Sequence, residues 1–233
     1  MIKLIICGVG GRMGERILTL ARQDAEFKVI YGLESPAYKG SPAGLRAGAD
    51  PSEIKNADVV IDFTVADATA QLAPIVAKYK KAYVIGTTGL NEDQLNIIRQ
   101  AAEKTPIVRA PNMSLGVNVF FKIAQETARA LPQYDVEIIE SHHVHKKDAP
   151  SGTALHAGGL IEKITGKSVK YQSIREGEIV GDHRVIFKGP SEQLELLHHA
   201  GSRDSFAAGA LRAAKWVVKQ KPGLYSMNDV LGL

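Results

Sequence analysis

Three histidines and two lysines fall within six residues in the segment Glu140-Ser-His142-His143-Val-His145-Lys146-Lys147-Asp148-Ala-Pro150-Ser151-Gly152-Thr153-Ala154. Imidazole is the side chain that exchanges protons most readily near neutral pH, and the lysines add positive charge and a second donor. Ser151 is a good helix N-cap, so Gly152 and Thr153 would offer backbone N–H groups at a helix start, a natural receptor for a carboxylate. Such a cluster suits proton donation to a small substrate carrying more than one carboxylate. The histidines could instead bind a metal or belong to a solvated loop. No H-E-x-x-H spacing is present and the flanking lysines would repel a dication, while proline and glycine at set places weigh against a plain loop.

A second site of interest opens the chain. Gly8-Val9-Gly10-Gly11-Arg12-Met13-Gly14 follows an apolar run at 2–7 and precedes a helical pattern. Glycines let the backbone approach a diphosphate, and the N–H groups and dipole of the following helix favour its charge. The spacing is G-x-x-G-x-x-G over Gly8, Gly11 and Gly14 rather than a strict G-x-G-x-x-G. Glu34 stands 20 residues after Gly14, where a carboxylate can accept hydrogen bonds from the adenosine ribose hydroxyls. The other reading of Glu34 is an exposed loop carboxylate. Ser35 follows it and Lys39 is the only nearby cation, a poor match to a 2′-phosphate, so NADH should serve at least as well as NADPH.

These residues need elements to hold them. Short apolar strands at 2–7, 28–33, 58–63, 82–85 and 107–110 alternate with helical patterns at 12–22, 67–79 and 91–103. The third helix carries a capping box, Asn91 with Gln94. Residues 35–51 read as a loop. Alternation of this kind implies a parallel sheet, whose ligands lie beyond the carboxyl ends of the strands. The loops starting at Gly8, Glu34, Thr64, Gly86 and Pro111 would share that edge.

The second half has a helix at 115–130, a strand at 136–140 and a helix at 153–164. Alternating segments at 168–175, 178–187 and 191–200 then suggest an antiparallel sheet with one face covered. A helix at 205–219 suits a return to the first domain. The expected fold is α/β: a Rossmann-type parallel sheet domain (1–113 plus 204–233) with an inserted α+β domain (114–203) containing a mainly antiparallel open sheet.

Composition narrows the class. The 233 residues are 45% hydrophobic and 23% charged, with a net charge of +4 and 6% aromatics, matching a globular protein. The basic residues are scattered, unlike a nucleic-acid surface. No apolar stretch is long enough to cross a bilayer, and the N-terminus lacks the n-region and cleavage site of a signal peptide. Cys7 is the sole cysteine, which excludes an internal disulfide and a thiolate zinc cluster. A cytoplasmic location is expected, with neither membrane nor nucleic acid as a partner.

Segment 140–154, together with Gly8–Gly14, Asp62-Phe63-Thr64, Gly86-Thr87-Thr88-Gly89 and Ala110-Pro111-Asn112-Met113-Ser114, resembles the 4-hydroxy-tetrahydrodipicolinate (dihydrodipicolinate) reductase family of lysine and diaminopimelate synthesis. The resemblance runs nearly end to end, although the chain is short for the family around 35–57. It implies two hinges between a cofactor domain and a substrate and tetramerisation domain, and so a homotetramer. It also implies hydride transfer from NADH or NADPH to a cyclic unsaturated imine dicarboxylate, giving tetrahydrodipicolinate, with no metal. His142 would be the general acid/base and Lys146 the second proton donor. His143, Gly152 and Thr153 would bind substrate. Cofactor contacts would come from Gly8, Val9, Gly10, Gly11, Arg12, Met13, Glu34, Gly86, Thr87, Thr88, Ala110, Pro111, Asn112 and Met113. Ser35 replaces an arginine that often follows the acidic residue, which bears on cofactor preference and not on the reaction. Two rivals are another Rossmann reductase of amino-acid-derived imines, such as an aspartate dehydrogenase-like enzyme, and a dinucleotide-sensing protein without chemistry.

Overall fold

Strand β1 (Ile2–Cys7) is buried from Leu4 onward and runs straight into the glycine turn. The computed structural model describes all residues 1–233. They form two compact units, residues 1–114 with 206–232, and residues 115–205, with Leu233 grouped with the second. In the first unit, α1 (Arg12–Gln23) packs through Gly14, Ile17, Leu18 and Ala21, a helical stripe. Then follow β2 (Phe27–Leu33), β3 (Ala47–Gly48), β4 (Val59–Asp62), α2 (Ala66–Lys78), β5 (Ala82–Ile85), α3 (Glu92–Ala102) and β6 (Pro106–Arg109). The capping box before α3 forms as expected: Gln94 N donates to Asn91 Oδ1 and Asn91 N to Gln94 Oε1, both at 2.9 Å.

The second unit begins with α4 (Leu115–Ala130) and β7 (Asp135–His142), continues with α5 (Gly152–Thr165), β8 (Lys170–Arg175), β9 (Asp182–Lys188) and β10 (Gln193–His199), and hands over to α6 (Asp204–Val217). Its sheet order is β10-β9-β7-β8. β10, β9 and β7 are antiparallel, while β7 and β8, joined through α5, are parallel. Side chains alternate across strands. Val136, Ile138, Val185 and Phe187 therefore join Phe120, Phe121, Ala157 and Ile161 of α4 and α5 in one core. On the opposite face Glu137, Ile186 and Glu195 form one cross-strand row and Ile139, Arg184 and Leu197 another, and neither α4 nor α5 covers them.

The chain completes the first unit with β11 (Gly223–Tyr225) and α7 (Met227–Leu231). Its seven-stranded sheet has the order β11-β6-β5-β4-β1-β2-β3, and every pair is parallel. β3 lies inside the stretch expected to be a loop, and β11 and α7 lie beyond the last expected helix. At two, three and five residues they are too short to show a periodicity. The chain winds outward from β1 in one direction through β2 and in the other through β4. Register aligns Cys7 with Leu33 and with Asp62, and Asp62 with Ile85. The turns at 8, 34, 63 and 86 thus emerge on one edge, where strand order reverses and ligands bind in such sheets. No helix is long and apolar enough to cross a membrane.

Candidate active site

In the second unit, the alternation of β7 places Glu140 and His142 on the helix-covered face, both buried. The Glu140 carboxylate and His142 Nδ1 are hydrogen-bonded. Arg175, directly opposite His142 on β8, forks onto the same carboxylate, Nη1 to Oε2 at 3.0 Å and Nη2 to Oε1 at 2.7 Å. Ser151 N donates to Glu140 Oε1 at 3.2 Å, and Arg175 also donates to Asp148 O at 2.5 Å. Burial acts to raise the Glu140 pKa, but hydrogen bonds from Arg175, Ser173 and His142 outweigh it and hold the group ionised below the ordinary carboxylate value.

With Nδ1 engaged by Glu140, Nε2 is the His142 nitrogen left to exchange a proton. A Cβ on Gly181 would stand 2.9 Å from that nitrogen, so glycine there keeps room beside it. The sequence suggests an imidazole near its unperturbed pKa, and the structure corrects this. Burial lowers the His142 pKa, Glu140 only partly restores it, and the charges of Lys146 and Arg175 lower it again. When protonated, His142 is therefore a stronger acid than a solvated histidine.

His183, opposite Glu140 on β9, sets its ring 5.2 Å from that of His142 at 75°, and its Nε2 lies 3.2 Å from Ser151 Oγ. His198 follows opposite it on β10, with ring centres 6.3 Å apart. Burial, then the charges of His142 and His198, push the His183 pKa down to about 3. An unfolded chain protonates this histidine near pH 6.5, the folded one only near 3, so the unfolded state binds more protons in between. Stability is thus complete above about pH 6.5 and declines as pH falls toward 3. Between pH 7 and 5 this group alone should remove about 2 kcal/mol. Urea midpoints at the two pH values check it, with His183→Asn expected to flatten the dependence.

Around this core, α5 begins as expected, with Ser151 Oγ accepting from Ala154 N at 3.2 Å. The Gly152 N–H, however, is not vacant. The Asp148 carboxylate accepts from Lys146 Nζ at 2.8 Å, and its pKa is held down, against burial, by Lys146 and by the backbone of Asp148 and Gly152. An acid of the chain itself thus lies where the sequence places a substrate carboxylate. Thr153 is half-buried in the first turn. His143 is half-buried, with its backbone N–H on Ile179 O at 2.7 Å and its buried Nδ1 unpaired, while His145 and Lys147 are exposed. Glu140, Arg175 and His183 were not singled out in the sequence. Period two along β7 pairs Glu140 with His142, a signal in plain view. Arg175 and His183 join only through strand register.

In the first unit, Gly8 has φ +75°, and a Cβ on Gly14 would lie 2.1 Å from Gly8 O, so glycine at both positions lets α1 start tight against β1. Gly11 caps α1 without a side-chain bond, leaving its first-turn N–H groups without a side-chain acceptor at that cap. Gly10 N donates to Glu34 Oε1 at 2.8 Å, which brings the glycine turn and the acidic residue together. The Tyr38 ring lies over Gly10, a neighbour the sequence did not announce. Arg12 is exposed and Met13 half-buried, whereas Val9 is fully buried and could meet a ligand only through its backbone.

The Phe63 ring rests on Gly86, Thr87 is buried and Thr88 exposed. Ala110 and Met113 are buried, Pro111 is exposed, and Asn112 Oδ1 accepts from Ser114 N at 2.9 Å. Arg12, Met13 and Gly14 begin α1, Phe63 follows β4, and the others lie in turns after β1, β2, β5 and β6. The glycine turn and the start of α1, which has no side-chain cap, fit a dinucleotide diphosphate.

Comparison with known proteins identifies the family. Residues 2–113 match "Dihydrodipicolinate reductase, N-terminus" and residues 116–231 match "Dihydrodipicolinate reductase, C-terminus". A 4-hydroxy-tetrahydrodipicolinate reductase of Methanosarcina barkeri is 43% identical over 264 aligned residues, with both chains covered completely. One of Syntrophobacter fumaroxidans is 42% identical, again with complete coverage of both. Among solved structures, a dipicolinate-bound dihydrodipicolinate reductase of Paenisporosarcina sp. shares the fold, with TM-score 0.84, 24% identity and 97% of each chain covered. An aspartate dehydrogenase of Thermotoga maritima is more distant, with TM-score 0.58, 14% identity and 95% of this chain and 98% of that one covered. The chain belongs to the dihydrodipicolinate reductase family, whose curated members are named 4-hydroxy-tetrahydrodipicolinate reductase.

Proposed function

We propose that this chain is an oxidoreductase that converts 4-hydroxy-tetrahydrodipicolinate to tetrahydrodipicolinate for lysine and diaminopimelate synthesis, the substrate losing its hydroxyl as water and gaining one hydride and one proton. The observation that carries the reading furthest is the buried Glu140–His142 pair, fixed by Arg175 and tied through Ser151 to the start of α5. A bare dinucleotide sensor has no use for an oriented, acidified imidazole. A nicotinamide dinucleotide, when bound, supplies the hydride. His142 holds a proton at Nε2 and delivers it to the ring atom that gains electron density, with Lys146 as second donor. An anionic substrate beside His142 raises its pKa again, so substrate binding itself promotes the protonated form.

Substrate carboxylates fit His143, the Thr153 backbone at the helix start and, by displacing the Asp148 carboxylate, the cationic Lys146 and the Gly152 N–H. The dinucleotide fits residues 8–13, Glu34, 86–88 and 110–113, with the Rossmann part at 1–113 plus 204–233 and the substrate part at 114–203. Glu34 with Ser35 favours a free ribose over a phosphorylated one. At limiting cofactor, kcat/KM with NADH is expected to equal or exceed that with NADPH, and a large NADPH advantage would contradict the Glu34 role. The sheet face away from α4 and α5, with Leu197 exposed and Ile139 half-buried, suits further copies of the chain, giving a homotetramer of four times the 25.1 kDa chain mass by light scattering. The working compartment is the cytoplasm.

A direct test uses NADH carrying two deuterium atoms at nicotinamide C4, so that either face delivers deuteride. The tetrahydrodipicolinate formed should carry one deuterium by mass spectrometry. Product lacking deuterium, or no product, would reject the reaction.

A further inference from the structure

Asp62 ends β4 and is fully buried, yet every partner it has is neutral. Its Oδ2 accepts from Tyr83 Oη at 2.5 Å and Thr69 Oγ1 at 2.9 Å. Its Oδ1 accepts from Thr64 N at 2.9 Å, Thr64 Oγ1 at 2.6 Å and Thr87 Oγ1 at 3.3 Å. Burial and the Asp62 charge push the Tyr83 hydroxyl and the facing Cys7 thiol well above their usual pKa values, so both stay protonated beside the carboxylate. A buried charge without a counter-ion is costly, and an apolar residue would serve the core better. The two oxygens divide the work. Oδ2 is anchored in the interior by β5 and α2, and Oδ1 grips the turns after β4 and β5. Thr64 N also reaches Thr87 Oγ1 at 3.1 Å, which ties those turns to one another.

We propose that Asp62 is a positioning residue that locks the turns at 63–64 and 86–88 into the shape that receives the nicotinamide half of the cofactor. The argument rests on the dinucleotide reading of the first unit. Strand order places β4 and β5 on one side of β1 and Glu34, at the end of β2, on the other. A dinucleotide whose diphosphate lies on the first turn therefore has its adenosine toward β2 and its nicotinamide toward β4 and β5. Asp62 touches neither half. In Asp62→Asn the bonds lose the carboxylate charge and one oxygen becomes an NH2 group: facing Thr64 it deprives that N–H of its Asp62 acceptor, and facing Tyr83 and Thr69 it makes both hydroxyls turn from donor to acceptor.

The experiment measures the affinities of NADH and of ADP-ribose, which lacks the nicotinamide, by calorimetry. Asp62→Asn should weaken NADH by about tenfold or more and leave ADP-ribose within about twofold. Equal weakening of both ligands would mean a merely structural role, and unchanged NADH affinity would equally overturn the proposal. If Asp62→Asn does not fold, Tyr83→Phe decides by the same criterion, with NADH weakened several-fold and ADP-ribose unchanged as the supporting result. A wild-type chain that bound neither ligand would fail the dinucleotide reading itself, and this proposal with it.

Discussion

Replacing His142 by Gln should lower kcat by about 10²–10⁴ while NADH affinity stays as in the wild type. Glutamine is close in size and can still reach Glu140, so the buried hydrogen bond persists while the titrating nitrogen is lost. The loss should fall on kcat and kcat/KM together, as expected for an interaction made only in the transition state. Near-normal turnover would remove His142 from the mechanism. In the wild type, the free-enzyme profile should report an apparent pKa for this group below the solvated imidazole value, because burial outweighs Glu140. Activity that needs protonated His142 declines as pH rises through that value. Glu140→Gln removes a contribution that holds the pKa up, so its profile should move further to acid.

Arg175→Met should destabilise the second unit by about 3–5 kcal/mol, because it leaves the Glu140 carboxylate buried without its guanidinium partner. Methionine keeps the aliphatic stem and removes the guanidinium, so the charge and its hydrogen bonds are the main variables. Glu140 is fully buried, and the fork to it is bidentate at 2.7 and 3.0 Å. Arg175 also holds Asp148 O, so its loss loosens the loop that carries Lys146. Urea unfolding at pH 7 measures the cost. The double variant Arg175→Met with Glu140→Leu should recover part of the stability and none of the activity, since the orphaned charge is removed along with the orienting group. An Arg175→Met protein as stable as the wild type would contradict the assignment of this pair as the structural centre of the site.

The parts legible in the sequence are those that local rules govern. Strand and helix periods at 2–110 gave the parallel sheet, and the Asn91/Gln94 and Ser151 caps fell where their side chains can accept first-turn N–H groups. The glycine turn and Glu34 could be paired by spacing, and Gly10 N does meet Glu34. What stayed hidden depends on register and packing. Arg175 and His183 reach Glu140 and His142 only because β8 and β9 flank β7 in one particular alignment. The depressed pKa of His142 is a burial effect that spacing cannot express. Asp148 lay inside the quoted segment, but its position at the start of α5 depends on how the loop folds back. β3 and β11 belong to the sheet through neighbours, not through any pattern of their own.

The reaction proposed for this chain is hydride transfer from a nicotinamide to the cyclic imine dicarboxylate. The most direct measurement follows NADH absorbance while the preceding synthase generates the substrate in the same cuvette. Oxidation that starts only when both synthase substrates are present, and that falls by about 10²–10⁴ with His142→Gln, is the predicted result. No NADH or NADPH oxidation by correctly folded wild-type protein would contradict it.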